Sequence, residues 1–232
     1  MGKIILAGEL HDDPCLAEHA GSVLQVEKPD AITLESNAAE RIAFAFVRSK
    51  VSELLSQCGI ASERIPGYMR DYFRIVQRTF AVADVSREYA LTHRIPLEYV
   101  GHPDQKDLLR LIEIYDRRPI PLDSLLDPVI STNANGSVVA QKYKECRTKI
   151  AAGSYSGVSQ FGRQKVRTPK GEIRDDYSAE RLRELIKRGH QKICHFCGIG
   201  HILDDERRET IYAILKDEFD IGRITIDQHS RG

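Results

Sequence analysis

The stretch from Lys3 to Glu35, KIILAGELHDDPCLAEHAGSVLQVEKPDAITLE, decides the fold class of this chain. Its first apolar run, residues 3–7, is typical of a buried parallel strand. Residues 14–27 carry apolar side chains at helical spacing, and a Pro-Asp pair separates them from a second apolar run at 31–34. A strand, a helix and a strand within this length predict a right-handed crossover and a parallel pair of strands.

The rest of the chain continues the same alternation. It predicts an α/β fold with a mixed, mainly parallel central sheet flanked by helices. We expect a single domain over residues 1–232, in which 119–172 forms a loop-rich insertion or lid because Pro, Gly and Asn are frequent there. The predicted helices are 38–58, 68–92, 105–116, 137–151 and 204–217, together with a helix that begins at a Ser178 cap. The further predicted strands are 95–100, 191–197 and 222–227.

Composition excludes several classes of protein. The chain has 232 residues, 34 Lys and Arg against 34 Asp and Glu, and therefore no net charge, which makes nucleic acid an unexpected partner. No apolar run approaches the roughly 20 residues that span a bilayer, and the first apolar run is too short for a signal peptide. We therefore expect a cytoplasmic protein without a membrane partner, with homodimer formation left open.

Five scattered cysteines fit reduced thiols better than a disulfide framework. Cys194 and Cys197 have the spacing of a zinc or redox pair, but the chain has no second Cys-x-x-Cys. In a strand, residues three apart point to opposite faces, which favours two buried core thiols.

Two turns with glycine and histidine follow predicted strands. The first is Gly8-Glu9-Leu10-His11, and the second, near the C-terminus, is Gly198-Ile199-Gly200-His201. Imidazole serves as a general base or a metal ligand near neutral pH, whereas the simpler interpretation of the first turn is an acidic helix cap. Because both turns follow strands, we expect His11 and His201 to meet at the carboxyl edge of the sheet.

Glu35 ends the second predicted strand and is expected at the same edge. His11, Glu35 and His201 would form a common ligand set for a divalent metal such as manganese, cobalt or zinc. The same groups could activate water without a metal, with histidine as base and glutamate as its orienting partner. His102 and Asp104 follow another predicted strand and are candidates for substrate binding, or for a plain turn.

These motifs resemble a superfamily that contains the ChaN-type proteins, the erythromycin esterases, and the TraB/PrgY and Tiki proteins. The resemblance rests on residues 8–14 (GELHDDP), on Leu34-Glu35 and on the second glycine-histidine turn at 198–201. A further element is Ile173-Arg174-Asp175-Asp176, which resembles the arginine-aspartate before the matching helix in the esterase and ChaN branches. The resemblance covers about half of the chain and leaves the middle unmatched.

The resemblance implies several activities for such a fold: metal-dependent proteolysis in Tiki, ester hydrolysis in the erythromycin esterases, and haem binding in ChaN. It also implies that Arg174 clamps an anionic group and that Asp175 orients it. Fold alone does not select among these activities.

The leading hypothesis is a hydrolase acting on a small molecule or a peptide. Its catalytic residues would be Glu9, His11, Glu35, Arg174 and His201, with His102, Asp104 and Asp175 contacting the substrate. The alternatives are a non-catalytic protein that binds haem or another small anion, and a regulatory protein that uses residues 119–172 as a partner surface.

Overall fold

The protein has an α/β fold with one parallel sheet, seen in a computed structural model that describes residues 2–11, 13–36, 67–101, 136–153, 174–205 and 207–229. The strands are β1 (Lys3–Glu9), β2 (Ala31–Leu34), β3 (Leu97–Tyr99), β4 (Lys192–Gly198) and β5 (Asp220–Thr225). The helices are α1 (Leu16–Glu27), α2 (Gly67–His93), α3 (Gly136–Ala152), α4 (Arg174–Lys187) and α5 (Ile211–Leu215). Short 3-10 helices follow β4 at Ile199–Ile202 and β5 at Ile226–His229. The predicted fold class is confirmed.

The strand order is β3-β2-β4-β1-β5, and every pairing among these strands is parallel. The predicted pairing of the first two strands is wrong, since β4 lies between β1 and β2 and pairs with both. A helical crossover fixes only the direction of the two strands it joins, so the gap between them is open to a strand from later in the chain. That gap is filled by β4.

Strands β4 and β1 lie inside the sheet, and their apolar residues are buried. Ile4, Leu6 and Ile193 are fully buried, as expected for strands covered by helices on both faces. Cys194 and Cys197 are both buried within β4, as their strand spacing predicts. The sheet is therefore mostly apolar inside, and its carboxyl edge carries polar residues.

Two predicted elements differ from the observed ones near the C-terminus. Helix α4 begins at Arg174, so Ser178 lies inside the helix, where its hydroxyl donates to the Val100 carbonyl at 2.8 Å. The predicted helix 204–217 is reduced to α5, which is capped by the Thr210 side chain. The Asp205 carboxylate accepts from the backbone amide of Glu209 at 2.9 Å, and such local bonds compete with helix formation.

Several predictions fall outside the described residues. They concern the helices at 38–58 and 105–116 and all of the proposed insertion 119–172 except residues 136–153. Within that segment, α3 agrees with the predicted helix 137–151. None of the helices in the described ranges is long and apolar enough to cross a membrane.

The C-terminus of α2 provides a test of local backbone strain. Arg94 adopts a φ of 55°, and the amide of Ile95 donates to the Ala90 carbonyl at 3.0 Å, as in a Schellman motif. Because glycine adopts this conformation without strain, we expect Arg94→Gly to raise the free energy of unfolding by about 0.5–1 kcal/mol. Glu88→Gly, an exposed site inside the same helix, should lower it by about 1 kcal/mol. Urea unfolding of both variants measures the difference, and a destabilised Arg94→Gly would contradict the strain argument.

Candidate active site

The carboxyl ends of β1, β4 and β2 meet at one edge of the sheet. Glu9 at the end of β1 is in register with Gly198 at the end of β4. The Gly198 amide donates to the Glu35 carboxylate at 2.8 Å, and the Glu35 amide donates to the Phe196 carbonyl at 3.0 Å. The insertion of β4 therefore places the second histidine turn between the two strands that carry the predicted carboxylates.

The second turn holds the imidazole of His201 between two carboxylates. The ring atom Nε2 lies 3.0 Å from Glu35, and Nδ1 lies 2.7 Å from Asp175. Asp175 is buried at the start of α4 and also accepts from the Ile211 amide at 3.0 Å. Since each ring nitrogen faces a carboxylate, the ring binds best as a doubly protonated imidazolium.

In the first turn, one carboxylate faces the imidazole of His11. The Nδ1 atom of His11 lies 3.3 Å from the Glu9 carboxylate, whose side chain is 9% exposed, whereas the His11 side chain is 55% exposed. In both turns a buried carboxylate thus faces Nδ1. Such a partner orients the ring and directs the function of Nε2.

Charge coupling raises the pKa of both imidazoles. Burial alone would lower the pKa of His201, but the carboxylates of Glu35 and Asp175 hold it well above its usual value. Burial likewise opposes ionisation of Glu35, yet the His201 charge and the Gly198 amide leave the pKa of this carboxyl lowered.

The pKa of His11 is raised to about 9, first by its hydrogen bond to Glu9 and then by the charge of the same carboxylate. The charge of Glu35 also raises the pKa of His11, whereas the charge of His201 lowers it. The protonation of each histidine therefore depends on the charges around the other.

The glycine of the first turn, Gly8, lies in close contact with the second turn. A Cβ at Gly8 would lie 2.5 Å from Ile202 Cδ1 and 3.2 Å from the Cα of Ile199, both in the 3-10 helix that carries His201. A Cβ at Gly198 would lie 3.4 Å from the His201 ring. The glycine of the first turn therefore accommodates the backbone of the second.

Behind the first turn lies a buried network. The Asp13 carboxylate accepts from the Tyr143 hydroxyl at 2.9 Å and contacts His19 Nδ1 at 2.7 Å. The Leu10 amide donates to the same tyrosine oxygen at 3.2 Å. Sequence reasoning missed Tyr143, because it lies 133 residues from Leu10 and no local pattern links the two.

A second polar pair lies in the sheet itself. His195 is fully buried and its Nδ1 atom lies 2.9 Å from the Thr33 hydroxyl. Burial lowers the pKa of His195 to about 4, so this ring is neutral, and burial also raises the pKa of the Cys197 thiol. Cys197 is therefore a protonated core thiol and a poor metal ligand or nucleophile.

The structure brings five of the predicted site residues to this edge: Glu9, His11, Glu35, Asp175 and His201. The contact of Asp175 with the His201 ring differs from the substrate contact predicted for it. Arg174 precedes it as the first residue of α4 and is half-buried. His102 and Asp104 lie outside the described residues, so their predicted role stays a prediction.

The predicted divalent-metal site at His11, Glu35 and His201 stays a prediction. Both nitrogens of His201 face carboxylates, and an imidazolium has no lone pair for a metal. Among the residues that the structure describes, no group of three His, Cys, Asp or Glu side chains is placed to hold a metal ion.

No family model, curated protein or solved structure matches this chain. The resemblance to the ChaN, erythromycin esterase and Tiki superfamily therefore stays a prediction.

Packing around Gly8 provides the test of how the two turns are joined. Gly8→Ala should cost about 1–3 kcal/mol in unfolding free energy, because the new methyl group must push aside the Ile202 side chain and would lie only 3.2 Å from the Cα of Ile199. Gly200→Ala is the matched control, since nothing lies within 4 Å of a Cβ there, and its effect should stay within about 0.5 kcal/mol. Urea unfolding of both variants checks this; equal effects would contradict the packing argument.

Proposed function

We propose that this protein is a hydrolase that cleaves an ester or amide bond by acid-base catalysis at the carboxyl edge of its sheet. The observation that carries the proposal is the pair of histidines at one edge, each with Nδ1 facing a buried carboxylate. Carboxylate-oriented imidazoles are the usual proton-transfer groups of hydrolases.

His11 is suited to the role of general base. Its side chain is half exposed and Glu9 fixes its Nδ1 atom, so Nε2 is the nitrogen left to accept a proton from water. The water oxygen then bonds to the substrate carbonyl carbon, while Glu9 stabilises the imidazolium that forms. The raised pKa of His11 makes it a strong base that is largely protonated at neutral pH.

His201 is suited to the role of general acid. Its imidazolium, held by Asp175, can pass the Nε2 proton to the leaving oxygen or nitrogen as the bond to the carbonyl carbon breaks. Glu35 holds this proton in the resting site and is itself fixed by the Gly198 amide. Proton return from His11 to His201 through solvent restores the starting state. Two imidazoles in different surroundings thus take opposite roles.

The substrate class proposed is a small molecule or peptide with a carbonyl group. Arg174, beside Asp175, is proposed to stabilise negative charge that develops on the carbonyl oxygen. The proposed chemistry needs no covalent enzyme intermediate, since both histidines act on water and the leaving group.

The test of this proposal is hydrolysis of a panel of p-nitrophenyl esters and aminoacyl p-nitroanilides. Replacing histidine by asparagine keeps a polar group near Nδ1 and removes Nε2, so His11→Asn and His201→Asn should each lower kcat/KM by about 100-fold or more. His190→Asn is the matched control, because His190 Nδ1 also faces a carboxylate, that of Asp30 at 3.8 Å, at the other end of β4. Hydrolysis that survives in either site variant would refute the proposal, as would absence of hydrolysis across the panel.

The pH dependence follows from the base role of His11. Because the neutral ring is the reactive form, kcat/KM should rise about tenfold per pH unit below the pKa of His11. The rise should level off near the pKa of about 9. Glu9→Gln removes the hydrogen bond to a charged carboxylate that raises this pKa, so the midpoint should move down toward the ordinary value of 6.5. A rate that falls with pH across this range would assign His11 the acid role instead.

A further inference from the structure

Helix α3 contacts the first histidine turn through the side chain of Tyr143. Tyr143 is 1% exposed, and its hydroxyl accepts from the Leu10 amide at 3.2 Å while donating to the Asp13 carboxylate at 2.9 Å. Leu10 is the residue between Glu9 and His11. The tyrosine oxygen therefore contacts the backbone at the middle of the first histidine turn.

The turn is also closed by Asp13. Its amide donates to the Leu10 carbonyl at 2.9 Å, and its carboxylate accepts from the Cys15 amide at 2.8 Å. The second carboxylate oxygen binds both Tyr143 and His19 Nδ1. With the side chain of Asp13 only 2% exposed, this chain of bonds is shielded from water. Loss of one member leaves a buried group without its partner.

Helix α3 is itself held in place. Val139 and Cys146 are buried, and the Arg147 guanidinium donates to the Asp227 carboxylate at 2.7 Å and to the Thr225 hydroxyl at 3.0 Å. Thr225 ends β5, and Asp227 lies in the 3-10 helix that follows it. Tyr143 thus projects from an element fixed to the sheet, and it can fix the turn in its own position.

We propose that Tyr143 is a positioning residue, which holds the Leu10 backbone so that the Glu9 carboxylate and the His11 ring meet in reactive geometry. The inference rests on the proposed hydrolase function and deepens it: a helix in the loop-rich part of the chain takes part in site geometry. Tyr143 itself has no proton-transfer role, since its hydroxyl proton is held by Asp13 and its pKa is raised by burial.

The test combines hydrogen exchange with kinetics on the full-length chain. In Tyr143→Phe the Leu10 amide loses its acceptor, so its exchange should be at least about tenfold faster, while the amides of β1 that pair with β4 and β5 exchange as before. We expect kcat on p-nitrophenyl esters to fall by about tenfold with KM unchanged, since positioning acts on the reactive geometry rather than on binding. Tyr89→Phe is the matched control, because Tyr89 is a buried tyrosine of α2 that stacks on His93.

Two results would overturn the inference: exchange at Leu10 that equals the wild type, or faster exchange with an unchanged kcat. If Tyr143→Phe does not fold, exchange in the wild type decides, since a Leu10 amide that exchanges as fast as an unprotected amide is not held by the Tyr143 hydroxyl. The exchange experiment needs no substrate. Absence of hydrolysis in the wild type would therefore refute the proposed function separately, and exchange at Leu10 would still decide whether Tyr143 orders the turn.

Discussion

The site depends on the insertion of β4 between β1 and β2. This strand pairs with both neighbours and carries the second histidine turn at its carboxyl end. Without it, Glu9 and Glu35 would end two strands with an unfilled gap between them. With it, the Gly198 amide binds Glu35 across 163 residues of sequence and His201 lies against the same carboxylate. Ligand sites at the carboxyl edge of parallel sheets commonly have this origin.

Charge balance sets the second constraint. Three carboxylates and two imidazoles at one edge would repel or destabilise one another unless paired, because partial burial weakens solvation. The pairing of Asp175 and Glu35 with one His201 ring, and of Glu9 with His11, places opposite charges in contact. His201 thus faces two carboxylates and His11 faces one, and the acid and base roles proposed for the two rings rest on this asymmetry.

Sequence patterns predicted much of this structure where the information is local. The apolar runs that became β1, β2 and β4, the helical spacing of α1, and the glycine-histidine turns after the strands all lie within short windows. Contacts between residues far apart in the sequence could not be predicted from these patterns. The place of β4 in the sheet depends on competition among strands for one gap, and it overturned the expected pairing of β1 with β2.

The same limit applies to individual site residues. Nothing near Tyr143 in the sequence indicates that its hydroxyl binds the Leu10 amide. The resemblance predicts substrate contact for Asp175, and its observed contact with His201 depends on the docking of α4, which no local pattern indicates. The aspartates at 204 and 205 misled the helix prediction for another reason. Their side chains bond nearby backbone amides, which helical periodicity does not register.

The position of β4 late in the chain has a consequence for biosynthesis. A growing polypeptide that ends before Lys192 contains β1, β2, α1 and α3, with Glu9, His11 and Glu35 already present. It has neither the strand that joins the two halves of the sheet nor the imidazole opposite Glu35. The edge that brings Glu9, Glu35 and His201 together therefore forms only when β4 has left the ribosome and inserted between β1 and β2. Under the proposed function, a chain that ends before β4 therefore has no hydrolytic activity.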